Sequence, residues 1–177
     1  MSEYIYNLVK RLIKKYDTQD PERLIDLLGI KLIYMSDAQK LLGVYTVMLR
    51  QRTIIIKQGL EHLKKTVLAH ELGHDRLHKN AKSTVAFTDD FTYIPYDGKE
   101  LEANIFAAHL LIEDDEFLSL YYEKTPFSHM SNIFEVPEEL ICLKAFELNK
   151  IGIIKAEDGI LQRPAGNFLS KKHCDSK

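Results

Sequence analysis

Apolar positions along the chain keep helical or strand periods over a series of short stretches, broken by one long polar interval. Residues 4–16 set Ile5, Leu8, Val9, Leu12 and Ile13 at helical spacing, which predicts a helix with one buried face. Asp20-Pro21-Glu22 supplies a capping side chain and a proline at the first helical position, and the helix over 22–28 stops at Gly29. Residues 30–34 read as a short strand. Residues 43–49 and 53–57 are β-rich runs around Arg50-Gln51-Arg52, which predicts an antiparallel hairpin. Beyond Gly59 the period turns helical over 66–78, and again over 99–112, 114–122 and 137–149, the last with Pro137 at a natural start. Asp158-Gly159 predicts a second hairpin within 151–163, and residues 170–177 form a polar tail expected to be disordered. The pattern is that of an α+β protein with a small antiparallel sheet packed on the 66–78 helix. We divide it into a core over 1–113, a helical C-terminal extension of the same domain over 114–150, and a hairpin with tail over 151–177.

The helix over 66–78 reads TVLAHELGHDRLH and carries the densest chemistry. At about 100° per residue, Leu63, Val67, His70, His74 and Leu77 share a face, so the histidines extend an apolar stripe and are expected to be buried. His70 and His74 stand one turn apart and can converge on one metal ion, while Glu71 beside them can handle a proton; this is the HExxH pattern of zinc hydrolases. The bare motif arises by chance in roughly one shuffled copy of this composition in fifty, so its context has to decide. Thr66, Ala69 and Gly73 form an adjoining strip of small side chains that admits another backbone, and Gly73 weakens the helix for no other evident gain. The competing reading is a helix with two half-buried, hydrogen-bonded histidines. A buried histidine pair with a carboxylate beside it is an uncommon way to fill a core, which favours the metal.

A catalytic zinc takes a third protein ligand and leaves its fourth position to water. The helix over 99–112, KELEANIFAAHLLI, offers Glu100 and Glu102. Glu100, Ala103, Asn104, Ala107 and Leu111 fall together on the wheel; this small, mostly apolar face suits the Thr66, Ala69, Gly73 strip and would carry Glu100 to the metal. Glu102 lies opposite with His109, and the two are expected to face water, so Glu100 is preferred. Asn104 can accept the free ring N–H of a ligating histidine and fix its tautomer, or serve as a plain helix–helix hydrogen bond. His78 lies two turns from His70, a rise of about 12 Å on a continuous helix, so one ion cannot hold both. It reads instead as a C-terminal histidine favoured by the helix dipole.

Composition narrows the setting. A net charge of −2 with no basic block gives no reason to invoke nucleic acid or an anionic membrane, and no apolar run is long enough to span a bilayer. The start, MSEYIYNLVKRLIKKY, is amphipathic and lacks the form of a signal peptide; Cys142 and Cys174 alone fit a reducing compartment, so a cytoplasmic protein is expected. Residues 131–148 look like helix, turn, helix. The segment's acids, Glu135, Glu138, Glu139 and Glu147, outnumber Lys144 and Lys150, which argues against DNA binding. The interval 79–99, with Phe87, Phe91, Tyr93 and Tyr96, is long enough for a lid or substrate wall, though its aromatics equally suit satellite core. One strand could hold an extended peptide beside the metal helix, or merely cover it.

HELGHDRLH followed by ELEANIFAAHLL, with LGVYTVMLRQRTIIIKQGL before and NIFEVPEELICLKAFEL after, resembles the ImmA/IrrE family of metallopeptidases over residues 29–148. The resemblance implies a zincin-like, gluzincin-type fold, zinc held by His70, His74 and Glu100, and Glu71 as catalytic carboxylate. It further implies an endopeptidase whose protein substrate is a helix-turn-helix repressor of a mobile element or stress response. The chain departs from the family in reading LLIEDDE where an LLMP-like ending stands. The alternative is a regulatory binding module that keeps the fold without cleaving. Tyr45, Tyr93, Tyr96 and His129 are the candidates for stabilising an oxyanion.

Overall fold

Helix α1 (Ser2–Tyr16) turns Ile5, Val9 and Leu12 inward and ends where Asp17 takes a left-handed conformation, φ 52°. The computed structural model describes residues 1–36, 42–78 and 98–155. Helix α2 (Pro21–Leu27) starts as its sequence dictates: the Asp20 side chain accepts from the Glu22 N–H at 3.0 Å, Pro21 takes the first position, and Gly29 at φ 65° turns the chain out. Strands β1 (Lys31–Met35), β2 (Gly43–Met48) and β3 (Gln51–Lys57) form one sheet in the order β1-β3-β2. The hairpin of β2 and β3 is antiparallel as expected, but β1 pairs parallel to β3, so the sheet is mixed.

The turn of that hairpin also differs from expectation. Met48 pairs with Gln51, so the connection is Leu49-Arg50 rather than the three residues 50–52. Both turn residues are left-handed, φ 50° and 66°, the type I′ geometry that suits the twist of a two-residue hairpin. Asparagine and glycine usually occupy such positions; neither is present here, which hid the turn in the sequence.

A 3-10 turn at Glu61–Leu63 leads into α3 (Lys64–Leu77), followed by α4 (Gly98–Leu111), α5 (Asp114–Tyr122), α6 (Phe127–Phe134) and α7 (Glu138–Lys150). Helix α3 lies between strands β2 and β3 on one side and α4 on the other; α4 also carries α1 and α7. Both central helices are therefore enclosed: α3 buries residues 66–75 without a gap, and α4 buries Leu101 and residues 103–110. Such helices have no polar face turned to water. Residues 151–155 form turns; the rest of the expected second hairpin and the tail lie outside the described residues, as does nearly all of the interval 79–99.

Enclosure overturns the expectation that Glu102 and His109 face solvent. His109 is 4% exposed, with its ring edge-on to Tyr6 and its Nδ1 3.3 Å from the Lys144 ammonium. Lys144, counted from sequence as a surface cation, is fully buried and reaches Asp114 at 2.5 Å; Asp114 also takes Lys10 at 2.6 Å and the Tyr6 hydroxyl at 2.7 Å. Helices α1, α4, α5 and α7 are thus joined by one ionic cluster, buried at Lys144, Asp114 and His109 and reaching the surface at Lys10. Burial drives His109 well below the ordinary imidazole range, with Lys144 adding to the effect. Among the described residues no helix is long and apolar enough to cross a membrane.

A second ionic link fixes α3 to the sheet. Asp75, fully buried, accepts from Arg52 Nη1 at 3.1 and 3.0 Å, and Arg52 also donates to the Leu28 carbonyl at the end of α2. The Tyr45 hydroxyl on β2 bonds to the same carboxylate. Burial comes first among the causes that push Tyr45 up to about 12, with Asp75 next.

Helices α3 and α4 come close together at Gly73. A Cβ there would stand 3.0 Å from Ala103 Cα, 3.1 Å from its carbonyl oxygen and 3.2 Å from Phe106 Cβ, so α4 passes where a side chain would be. Gly73→Ala gains about 1 kcal/mol of helix propensity but must displace backbone at a cost of about 1–3 kcal/mol. The expected outcome is a lower thermal midpoint; a higher one would show that the helices can part at no cost. The hairpin gives the opposite expectation. Leu49 is fully exposed and packs on nothing, so L49N/R50G should relieve strain and raise stability by about 1 kcal/mol, or about 2–4 °C in a melting experiment.

Candidate metal centre

His70 and His74 follow one another by a helical turn of α3, so their rings meet edge to face on the buried side with centroids 4.7 Å apart. Their Nε2 atoms lie 3.0 Å from each other. Glu100, in the first turn of α4, reaches across the Gly73 contact with Oε2 3.2 Å from His70 Nε2 and Oε1 3.4 Å from His74 Nε2. Two bonds of about 2.0–2.1 Å to a tetrahedral ion hold their donor atoms about 3.3 Å apart. The three separations fit one such ion, and among the described residues these three side chains form the group able to hold a metal. The histidines are buried to 1%, while the Glu100 side chain keeps 23% of its surface, so the donor set opens to solvent on the α4 side.

Each imidazole is held from behind. His70 Nδ1 lies 2.8 Å from Asn104 Oδ1; an amide oxygen only accepts, so His70 carries its proton on Nδ1 and turns a bare Nε2 inward. His74 Nδ1 lies 3.0 Å from Nδ1 of His78, whose Nε2 lies 3.0 Å from Glu102 Oε2. Glu102, expected in water, thus faces α3 instead. Sequence periodicity missed this pair because α3 ends at Leu77. His78 leaves the helical region at φ −120°, ψ 40°, and its ring turns back on His74 rather than onward. The available signal was the 70, 74, 78 spacing of histidines.

Glu71 sits on the neighbouring face, 2% exposed, with the Tyr45 backbone N–H as donor to its carboxylate and Oε2 without a hydrogen-bond partner among the described residues. Burial raises it to about 7, with Glu100 adding to the rise and His70 and Tyr45 opposing it. Glu147 Oε2 is likewise buried without a hydrogen-bond partner among the described residues, but the Glu71 carboxylate interacts with the charges of His70 and Glu100, two of the three converging donors. Gly43 at the start of β2 makes the approach to Glu71 possible: a Cβ there would come within 2.6 Å of Val67 Cγ1 and 3.0 Å of Glu71 Oε1. Of the other titrating groups, His74 is pushed down to about 4, mainly by burial. His70 lies above its usual value because bonds and charges from Glu100 and Glu71 outweigh its burial. Glu100 is well below the carboxylate range because burial, which raises it, is exceeded by its bonds to both histidines.

Of the oxyanion candidates, Tyr45 has its hydroxyl committed to Asp75, His129 is exposed on α6, and Tyr93 and Tyr96 lie outside the described residues.

A family model described as the IrrE N-terminal-like domain of a peptidase family matches residues 25–146, which takes in α3, α4 and all three strands. The chain is also 35% identical over 139 residues to uncharacterized immunity region protein 2 of Bacillus phage phi105, across 77% of this chain and 85% of that protein. With the donor set, the helix pair and most of its length inside the matched region, the chain belongs to the ImmA/IrrE peptidase family.

Proposed function

We propose that the protein is a zinc-dependent endopeptidase that cleaves a regulatory protein, a helix-turn-helix repressor of the kind that governs a phage-type immunity region. The observation that carries this reading is buried Glu71, its Oε2 without a hydrogen-bond partner among the described residues, beside the convergence of His70, His74 and Glu100. A metal site serving only structure, or a module serving only to bind, has no use for an unsatisfied acid at its side. The immunity-region relative supports a repressor-type substrate.

His70, His74 and Glu100 would hold the ion, with Asn104 orienting His70. When bound, zinc supplies Lewis acidity, lowering the pKa of water toward about 7 and polarising a carbonyl. Glu71 takes the proton of the attacking water and delivers it to the departing amine.

Strand β2 suits the substrate's backbone. The Lys57 N–H to Leu42 carbonyl bond sets the ladder so that Val44 and Thr46 face β3, while Gly43, Tyr45 and Val47 point their backbone groups to the open edge. The bond from the Tyr45 N–H to Glu71 lies on that edge, so a peptide added there runs past the proton acceptor.

Glu71→Gln should keep one zinc per chain while kcat for cleavage of a repressor encoded beside the gene falls by about 10²–10⁴. Cleavage at the wild-type rate, or insensitivity to a chelator, overturns the assignment. Proton release gives a second measure. In the metal-free protein Glu71 favours its neutral form up to about 7, a contribution to stability that is present in acid and lost as pH rises through that value. A cation alongside reverses the preference. Zinc uptake at pH 6 should therefore expel more protons from the wild type than from Glu71→Gln, read by calorimetry in buffers of different ionisation enthalpy; equal release by the two would place Glu71 away from the ion.

A further inference from the structure

We infer that Glu102 and His78 form a relay that fixes the tautomer of His74 and so presents its Nε2 lone pair to the metal; this rests on the zinc reading above. The argument follows the protons through three contacts. Glu102 is a carboxylate and only accepts, so the Nε2 of His78, 3.0 Å away, must carry a hydrogen. A neutral His78 is then bare at Nδ1. The facing Nδ1 of His74, at 3.0 Å, must donate to it, because two bare or two protonated ring nitrogens at that range repel. His74 is left with a bare Nε2, the atom that lies against His70 Nε2 and Glu100.

The two histidines of α3 are thus oriented by different devices. His70 rests on a neutral amide, whereas His74 rests on an anion acting through a second imidazole. The relay is sheltered: the His78 side chain is 7% exposed and that of Glu102 24%. It also spans both helices, so the α3–α4 contact that brings Glu100 to the site brings Glu102 to its back. His78 and Glu102 are positioning residues, since neither is among the three side chains whose donor atoms converge.

Zinc affinity measured by competition with a chromophoric chelator tests the relay, alongside long-range proton–nitrogen correlation spectra of the metal-free protein that read the histidine tautomers. Glu102→Leu and His78→Ala should each weaken zinc binding by about 10- to 100-fold. Glu102→Gln should weaken it less, because its amide oxygen still accepts from His78. The double variant E102L/H78A should bind no more weakly than H78A. In the spectra, wild-type His74 should be protonated on Nδ1 and His78 on Nε2, and E102L should lose that single pattern while its thermal midpoint without metal stays near wild type. Wild-type affinity in E102L, or a wild-type His74 protonated on Nε2, overturns the relay. A wild-type chain that takes up no zinc in the first titration overturns instead the reading on which the relay rests, and the two failures are seen in different samples.

Discussion

The distance between α3 and α4 at Gly73 sets the rest of the site, because the donors come from both helices and neither helix alone supplies enough. His70 and His74 lie a turn apart on one helix by virtue of spacing alone. Glu100 reaches them only because α4 runs against the bare Cα of Gly73, with Ala103 and Phe106 filling the place of a side chain. The same contact carries Asn104 to His70 and Glu102 to His78. One small residue therefore sets both the inner and the outer ring of polar contacts, and a shift of a few tenths of an ångström would be felt in all of them at once.

The polar groups around this contact divide into satisfied and unsatisfied. Asp75 has Arg52 and Tyr45; both histidines have partners behind them; Glu100 sits between two imidazoles. Glu71 is left half satisfied among the described residues, with its burial opposing ionisation and His70 and the Tyr45 N–H favouring it. An acid held in this way is poised to gain or lose a proton near neutrality. Gly43 contributes from the other side, since any larger residue would occupy the room Glu71 uses.

How much of this was legible in the sequence depends on how local the cause is. The α1 stripe, the Asp20-Pro21 start of α2 and the Thr66, Ala69, Gly73 strip are written in neighbouring residues and read directly. The Leu49-Arg50 turn was not legible, because its left-handed backbone is imposed by the register of β2 on β3 and not by glycine or asparagine. The helical wheel separated Glu100 from Glu102 but misplaced Glu102 and His109, because it treats a polar strip as a wet one. A helix enclosed by α1, α3 and α7 meets its polar needs from residues far along the chain, Tyr6, His78, Asp114 and Lys144, which no local period reveals.

The cluster of Lys144, Asp114, Lys10 and Tyr6 sets the smallest piece of chain that can work. Every side chain of the donor set lies before residue 113, yet a fragment cut there would strip α4 of α7 and leave His109 and much apolar surface open to water. The minimal folding unit thus extends well past the minimal chemical one, and the last helices behave as the outer wall of the site even though they lend it no ligand.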